Sequence, residues 1–336
     1  MTIVGLGPHG ERASPPERVT LLPQDIDAAR AKRLHIAIVM HTMESDWSQH
    51  LVQGIVGLLG ECGAIVIDVV DCDFSPEKQI VSLNRLRAEN PDAIISLPVT
   101  NTTVADAHLE VARAGINLVW IDNVPIGMLP GKDYASLVSA DNYGLGKIAA
   151  ELLSSHLPIV STAAVLGYEA DFFASNEREI AFIQWMELNR PDVSVKSARF
   201  TKIENAGSDA DRLIDENPDI AGLFVVWDTP CMEVIRAVSD RNLTLPISTV
   251  DLGTEVTRVL SKDRGIVGIA AQRPILQGET IARTAITALL KRPCPDWVAL
   301  PGIKVSRSNV IESYQIVWRK PAPRDILRGL DVLTSV

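Results

Sequence analysis

Ile36-Ala-Ile-Val-Met-His41 decides the reading of this chain: an unbroken apolar run that stops on a polar side chain. The same figure returns further along. Ile65-Val-Ile-Asp-Val-Val ends on Asp71, Leu118-Val-Trp-Ile on Asp122-Asn123, and Leu137-Val-Ser-Ala on Asp141. Leu223-Phe-Val-Val-Trp ends on Asp228, and Ile247-Ser-Thr-Val on Asp251. Short apolar runs separated by helical patterns read as strands of parallel sheets buried on both faces. In open parallel sheets, ligands bind beyond the carboxyl ends of the strands. The repeated polar terminus therefore marks the rim where function is expected.

Working outward, strand 36–40 leads to a helix near 46–62, strand 65–70 to a helix near 76–89, and strand 93–97 to a helix near 102–114. Strand 118–121 closes this set. A second set follows: helix 143–155, strand 163–166, helix 175–189, a strand near 194–200, helix 208–217, strand 223–227, helix 230–241, strand 247–250 and a last helix over about 275–290. Such alternation predicts right-handed βαβ units. A chain of 336 residues suits two domains of this kind. The expected class is α/β, with two doubly wound parallel-sheet lobes in tandem and a crossover near Ser139–Asn142. Residues 1–33 form an N-terminal extension, Gly/Pro-rich at first and then a short capped helix.

Bulk properties narrow the function. A net charge of -10 argues against a nucleic-acid partner, because phosphate binding needs a basic face. No run approaches the roughly 20 apolar residues that cross a bilayer. Within Met1–Pro16, His9, Glu11 and Arg12 stand where a secretory peptide would be apolar, so no signal peptide is visible. Either the protein is cytoplasmic, or a leader was removed or lies upstream. Cys62, Cys72, Cys231 and Cys294 lack C-x-x-C spacing and read as reduced thiols. Asp71-Cys-Asp73 reads as a solvated loop, and no metal or cofactor is expected. His41-Thr-Met-Glu-Ser-Asp-Trp47 after the first strand contains no glycine, and G-x-x-x-x-G-K-[ST], G-x-S-x-G and H-E-x-x-H are absent.

Trp47 lies two residues past Ser45 at an expected helix start. It can be a core anchor, or an indole face for the C–H side of a sugar ring. Asp122 and Asp251 are each helix caps or acceptors for ligand hydroxyls. Their recurrence on one rim, beside His41, Asn123 and Trp227, favours a ligand.

These residues resemble the ribose-binding-like group of type I periplasmic substrate-binding proteins, which serve ABC importers and share a core with LacI-type repressors. The resemblance covers about 34–320. It rests on Ile36-Ala-Ile-Val-Met-His, Asp46-Trp47, Gln53-Gly54, Trp120-Ile-Asp122-Asn123, Val138-Ser-Ala-Asp141-Asn142-Tyr-Gly-Leu-Gly146-Lys147, Asn176-Glu-Arg-Glu, Phe182, Val226-Trp227-Asp228, Thr249-Val-Asp251 and Ala271-Gln272. It implies two lobes joined by three crossovers: 34–140 with about 273–304, and 141–272 with about 305–320, leaving a tail over 321–336. It further implies a first-lobe pocket of His41, Ser45, Trp47, Asp122 and Asn123. The second lobe would offer Asn176, Trp227 and Asp251, with Gln272 at the hinge and Asp171, Phe172 and Phe173 as a wall. Where the ribose-binding pattern has arginine, Asn123 and Asn176 stand instead. The expected ligand is therefore another aldose or ketose, or an open-chain polyol, and the Asp171 carboxylate favours a neutral compound over an anion.

The function expected is a non-catalytic receptor that closes about its hinge on a monosaccharide or polyol. It would act as a monomer, read by the permease subunits of an ABC transporter, outside the cytoplasm if a leader is or was present. Presentation to a chemoreceptor is compatible with this. One rival is the effector domain of a LacI-like regulator, for which 1–33 is too short to hold a DNA-binding motif. Another is an enzyme using Asp122 or Asp251 as acid–base groups, without an activated nucleophile or cofactor motif in support.

Overall fold

The computed structural model describes residues 3–331. Helix α1 (Pro23–Lys32) precedes a strand–helix series: β1 (His35–Met40), α2 (Asp46–Glu61), β2 (Ile65–Asp71), α3 (Pro76–Glu89), β3 (Ala93–Ser96), α4 (Ala105–Arg113), β4 (Asn117–Ile121) and β5 (Ser136–Ala140). The second series is α5 (Asn142–Ser154), β6 (Ser161–Tyr168), α6 (Phe173–Asn189), β7 (Val193–Phe200), α7 (Ala206–Glu216), β8 (Ile220–Val225), α8 (Asp228–Asp240), β9 (Ile247–Val250), α9 (Thr254–Ser261) and β10 (Ile266–Ala271). The chain ends with α10 (Pro274–Leu289), β11 (Trp297–Leu300), β12 (Ile303–Val305), α11 (Val310–Trp318) and α12 (Arg324–Gly329).

Two six-stranded sheets result, ordered β11-β5-β4-β3-β1-β2 and β12-β10-β9-β8-β6-β7. The first is parallel throughout; the second is parallel except for β12, which runs antiparallel to β10. Strand β1 shows why its run is apolar without alternation. Ile36, Ile38 and Met40 face one core, under α2 and α10, while Ala37 and Val39 face another, under α3. Glycines let paired helices touch. A Cβ on Gly54 of α2 would sit 2.3 Å from the Ile275 carbonyl oxygen of α10, and one on Gly146 of α5 would sit 2.2 Å from that of Arg178 in α6.

The chain passes between the sheets three times: at β5–α5, at β10–α10 and at Pro301-Gly302. That last passage places β12 in the second sheet, a little earlier than the boundary near 304 read from sequence. The sequence reading also ran from strand 247–250 straight to the helix at 275, passing over α9 and β10, and stopped at that helix, short of β11, β12 and α11.

Both ends are more structured than the terms extension and tail suggest. Ser14 pairs with β11, and the Val4 and Gly5 amides donate to the Asp141 carboxylate at 2.9 and 3.1 Å. Asp141 also caps α5. The N-terminal segment thus spans from the first sheet to the first crossover. Helix α12 buries Ile326 completely in the core of the second lobe. Residues 1–2 and 332–336 lie outside the described residues.

Candidate ligand site between the lobes

The carboxyl ends of both sheets open on one cavity of about 230 Å3. Its first-lobe wall begins where β1 ends, at His41 and Thr42. Ser45 then caps α2 by accepting from the Ser48 amide at 3.0 Å, which swings Trp47 into the lining. His41 packs edge-on against Phe74, with ring centroids 4.9 Å apart, and against Trp47 at 6.1 Å. Phe172, from the other lobe, stands 6.1 Å from the same imidazole. Burial drives His41 down to about 3, so the ring is neutral at physiological pH.

The second-lobe wall is more charged. Tyr168 at the end of β6 and Trp227 after β8 pack edge to face at 5.3 Å. Asp228 follows Trp227, and Asp251 follows β9. Arg178 of α6 is only 5 % exposed; its Nε donates to Asn142 Oδ1 at 2.9 Å and its Nη1 to the Val226 carbonyl at 3.0 Å. Nη1 lies 3.8 Å from an Asp251 oxygen.

Three aspartates crowd this space, with Glu44 also in the lining. Asp122 accepts from Gln277 Nε2 at 2.8 Å and from the Ala140 amide at 3.3 Å, yet burial outweighs these bonds and raises it to about 6. Asp251 accepts from Gln272 Nε2 at 2.8 Å; burial raises it as well, against the pull of Arg178. Asp228 is pushed up to about 8, first by burial and then by the neighbouring Asp251 and Asp46 carboxylates. Both strand-end aspartates have left-handed backbones, with φ of 54° at Asp122 and 72° at Asp251. Aspartate tolerates that region better than most residues.

Three lining residues carry buried polar atoms without a partner among the described residues: His41 Nδ1, Trp47 Nε1 and Gln272 Oε1. Such atoms are costly unless something fills the cavity and bonds to them.

Of the residues singled out from sequence, His41, Ser45, Trp47, Asp122, Phe172, Trp227, Asp251 and Gln272 line this cavity. Asn123, Asp171, Phe173 and Asn176 do not. Asn123 is fully buried behind the wall, where its Oδ1 accepts from the Ala174 amide of the opposite lobe at 3.4 Å. Asp171 is exposed and accepts from Asn176 Nδ2 at 3.2 Å. Helical phase explains Asn176. With about 100° per residue, Ala174 and Arg178 share a face and Asn176 points away from it. An arginine does reach the cavity from this helix, two positions beyond Asn176. Tyr168, Phe74 and Asp228 were also missed. Tyr168 and Asp228 end or follow apolar runs, so the strand-end rule could have found them; Phe74 lies three residues beyond β2, where that rule is silent.

Contacts also cross the cleft directly. The Asp46 carboxylate at the start of α2 accepts from the Thr254 amide at 2.9 Å and from its hydroxyl at 2.8 Å, at the start of α9. The Asn101 amide donates to the Asp171 carbonyl at 3.3 Å.

This fold and cleft agree with the family match. The family model for the periplasmic binding protein domain aligns with residues 36–293, and the chain belongs to that family, whose members bind solutes rather than transform them. Solved structures with the same fold include a solute-binding protein of an ABC transporter from Agrobacterium vitis bound with α-D-tagatopyranose. It is 22 % identical with a TM-score of 0.78, and the match covers 86 % of this chain and 99 % of that one. A carbohydrate-transporter solute-binding protein from Agrobacterium radiobacter in complex with D-arabinose is 18 % identical, with a TM-score of 0.76 and coverage of 85 % and 99 %. Another from Agrobacterium vitis, with bound allitol, is 20 % identical, with a TM-score of 0.72 and coverage of 84 % and 98 %. Among curated proteins, no sequence match is found.

Proposed function

We propose that this protein is the solute receptor of an ABC importer and binds a monosaccharide or polyol between its lobes without catalysis. The observation that carries this reading is the cavity at the facing strand ends, where carboxylates, aromatic rings and unpartnered buried polar atoms converge. Aromatic faces suit the C–H side of a sugar, and fixed acceptors suit its hydroxyls. The volume is below the roughly 300–1,000 Å3 of drug-sized pockets and suits a single small ring or short polyol. The sugars and the polyol in the related structures point the same way.

His41, Ser45, Trp47, Asp122, Phe172, Trp227, Asp251, Gln272 and Arg178 contact the ligand in this reading. Closure about the three crossovers brings the lobes together, with Asp46–Thr254 and Asn101–Asp171 as clasps. A membrane permease outside the cytoplasm reads the closed monomer, and a chemoreceptor is a second reader. A thermal-shift screen over pentoses, hexoses, deoxy sugars and polyols tests it. Ligand at ~100 times its dissociation constant should stabilise the fold by roughly 2.7 kcal/mol. No response to any member would end the carbohydrate reading.

A further inference from the structure

The charge and hydrogen-bond balance of the cavity is unequal. Glu44, Asp122, Asp228 and Asp251 line it, and among the described residues Arg178 is the lysine or arginine that lines it with them. That guanidinium is already tied to Asn142 and to the Val226 carbonyl. Among the described residues, Asp122 and Asp228 have no basic side chain within 4.0 Å. Gln272, 3 % exposed, sharpens the imbalance. Its Nε2 donates to Asp251, and the reversed amide would set two acceptors against each other. Its Oε1 is therefore left as an unpartnered acceptor on the cavity wall. A hydroxyl donates one hydrogen bond and accepts others, whereas an ammonium only donates. The Trp227 and Tyr168 rings next to Asp228 add π faces of the kind that attract cations.

We propose that the occupant is an amine-bearing polyhydroxy compound, an amino sugar or aminated polyol, whose ammonium sits among Asp228, Asp251 and Gln272. This rests on the sugar- or polyol-binding reading above and names the ligand class within it. Burial, together with Asp251 and Asp46, favours the protonated form of Asp228. The ammonium takes the place of that proton.

Calorimetry at pH 7.5 on matched sets tests this: glucose, glucosamine and N-acetylglucosamine; the galactose equivalents; and glucitol with 1-amino-1-deoxyglucitol. Charge-assisted bonds predict that at least one amine binds about ten-fold or more tighter than both its neutral parent and its N-acetyl counterpart. Asp228→Asn should collapse that preference to about three-fold or less. Should that variant not fold, the N-acetyl comparison on the unaltered protein still decides. Neutral parents that bind as tightly as every amine would overturn the amine assignment and leave the sugar receptor standing. Binding of neither kind would remove both.

Discussion

Asp122 and Asp251 occupy the same place in the two lobes. Each follows the strand third from the edge that β11 or β12 closes, each donates its amide to the neighbouring strand (Val138 or Ala270), and each has a glutamine amide on one carboxylate oxygen at 2.8 Å. Both turn with a left-handed backbone. Their surroundings then diverge. Arg178 pulls on both carboxylates but lies within 4.0 Å of Asp251 alone, which also has Asp228 close by. Asp122 shares its lobe's wall with His41, Trp47 and Phe74, where the imidazole is neutral. One scaffold has been used twice, with aromatic rings and carboxylates in both lobes but the guanidinium in the second alone. The comparison implies that the second lobe fixes the ligand's polar groups and the first covers its ring.

Removing the second-lobe grip should therefore cost most. Asp251→Ala deletes an acceptor and leaves the buried Arg178 without its carboxylate, and breaking buried charge pairs costs about 3–5 kcal/mol. The expected result is a loss of ligand affinity of about 100-fold or more by calorimetry, with the circular-dichroism spectrum unchanged. Affinity within a few-fold of the parent would show that the second lobe is not the grip.

Trp47→Ala tests the aromatic side. The indole is 8 % exposed and belongs to both the cavity wall and the first-lobe core. Losing its face to a sugar should weaken binding by about 10- to 30-fold, on the order of 2 kcal/mol. A loss as large as that of Asp251→Ala would erase the proposed division of labour.

The crowded carboxylates also make the ligand-free protein sensitive to pH. Asp122 and Asp228 have folded values raised to about 6 and about 8, above the roughly 3.9 of an unfolded aspartate. Raised values mean that the folded state holds these protons more tightly. Their contribution to stability is full below about pH 4 and is lost as pH climbs through 6 and then 8. Melting temperature should fall by a few degrees between pH 5.5 and 8.5 on this account, and Asp122→Asn or Asp228→Asn, which mimic the protonated form, should flatten the fall. Curves parallel to the parent's would show that the two carboxyl groups titrate as ordinary ones.

Much of this was legible from strand-end polarity alone, because a strand of a doubly covered sheet announces itself as an apolar run and its end falls on the binding rim. His41, Asp122 and Asp251 were found in that way, and Trp47 from its place just past the Ser45 cap. Arg178, Ser175 and Ala174 were not, because their placement depends on the phase of α6, which has a weak polar–apolar contrast and is set by the Gly146 contact with α5. Asn123 shows the opposite error. It follows Asp122 on the rim, but the left-handed turn at Asp122 sends the next side chain behind the wall. Helix α12 was unreadable as structure because it is short, and Ile326 with the partly buried Leu327 gives it too little apolar pattern to show a period.

The smallest expected effect lies between the lobes. Thr254 gives two hydrogen bonds to one Asp46 oxygen, joining the first turns of α2 and α9, and neither residue lines the cavity through that contact. Thr254→Val keeps the shape and the amide bond and deletes only the hydroxyl. If lobe closure accompanies binding, part of the ligand's affinity depends on this clasp, and a net hydrogen bond of about 1 kcal/mol predicts a loss of about five-fold. The loss should fall on the dissociation rate, because the clasp forms after the ligand is seated. Stopped-flow tryptophan fluorescence separates the two rates. A slower association with unchanged dissociation would mean that the lobes meet before the ligand arrives, and the contrast between a gripping lobe and a covering lobe would then describe one preformed pocket.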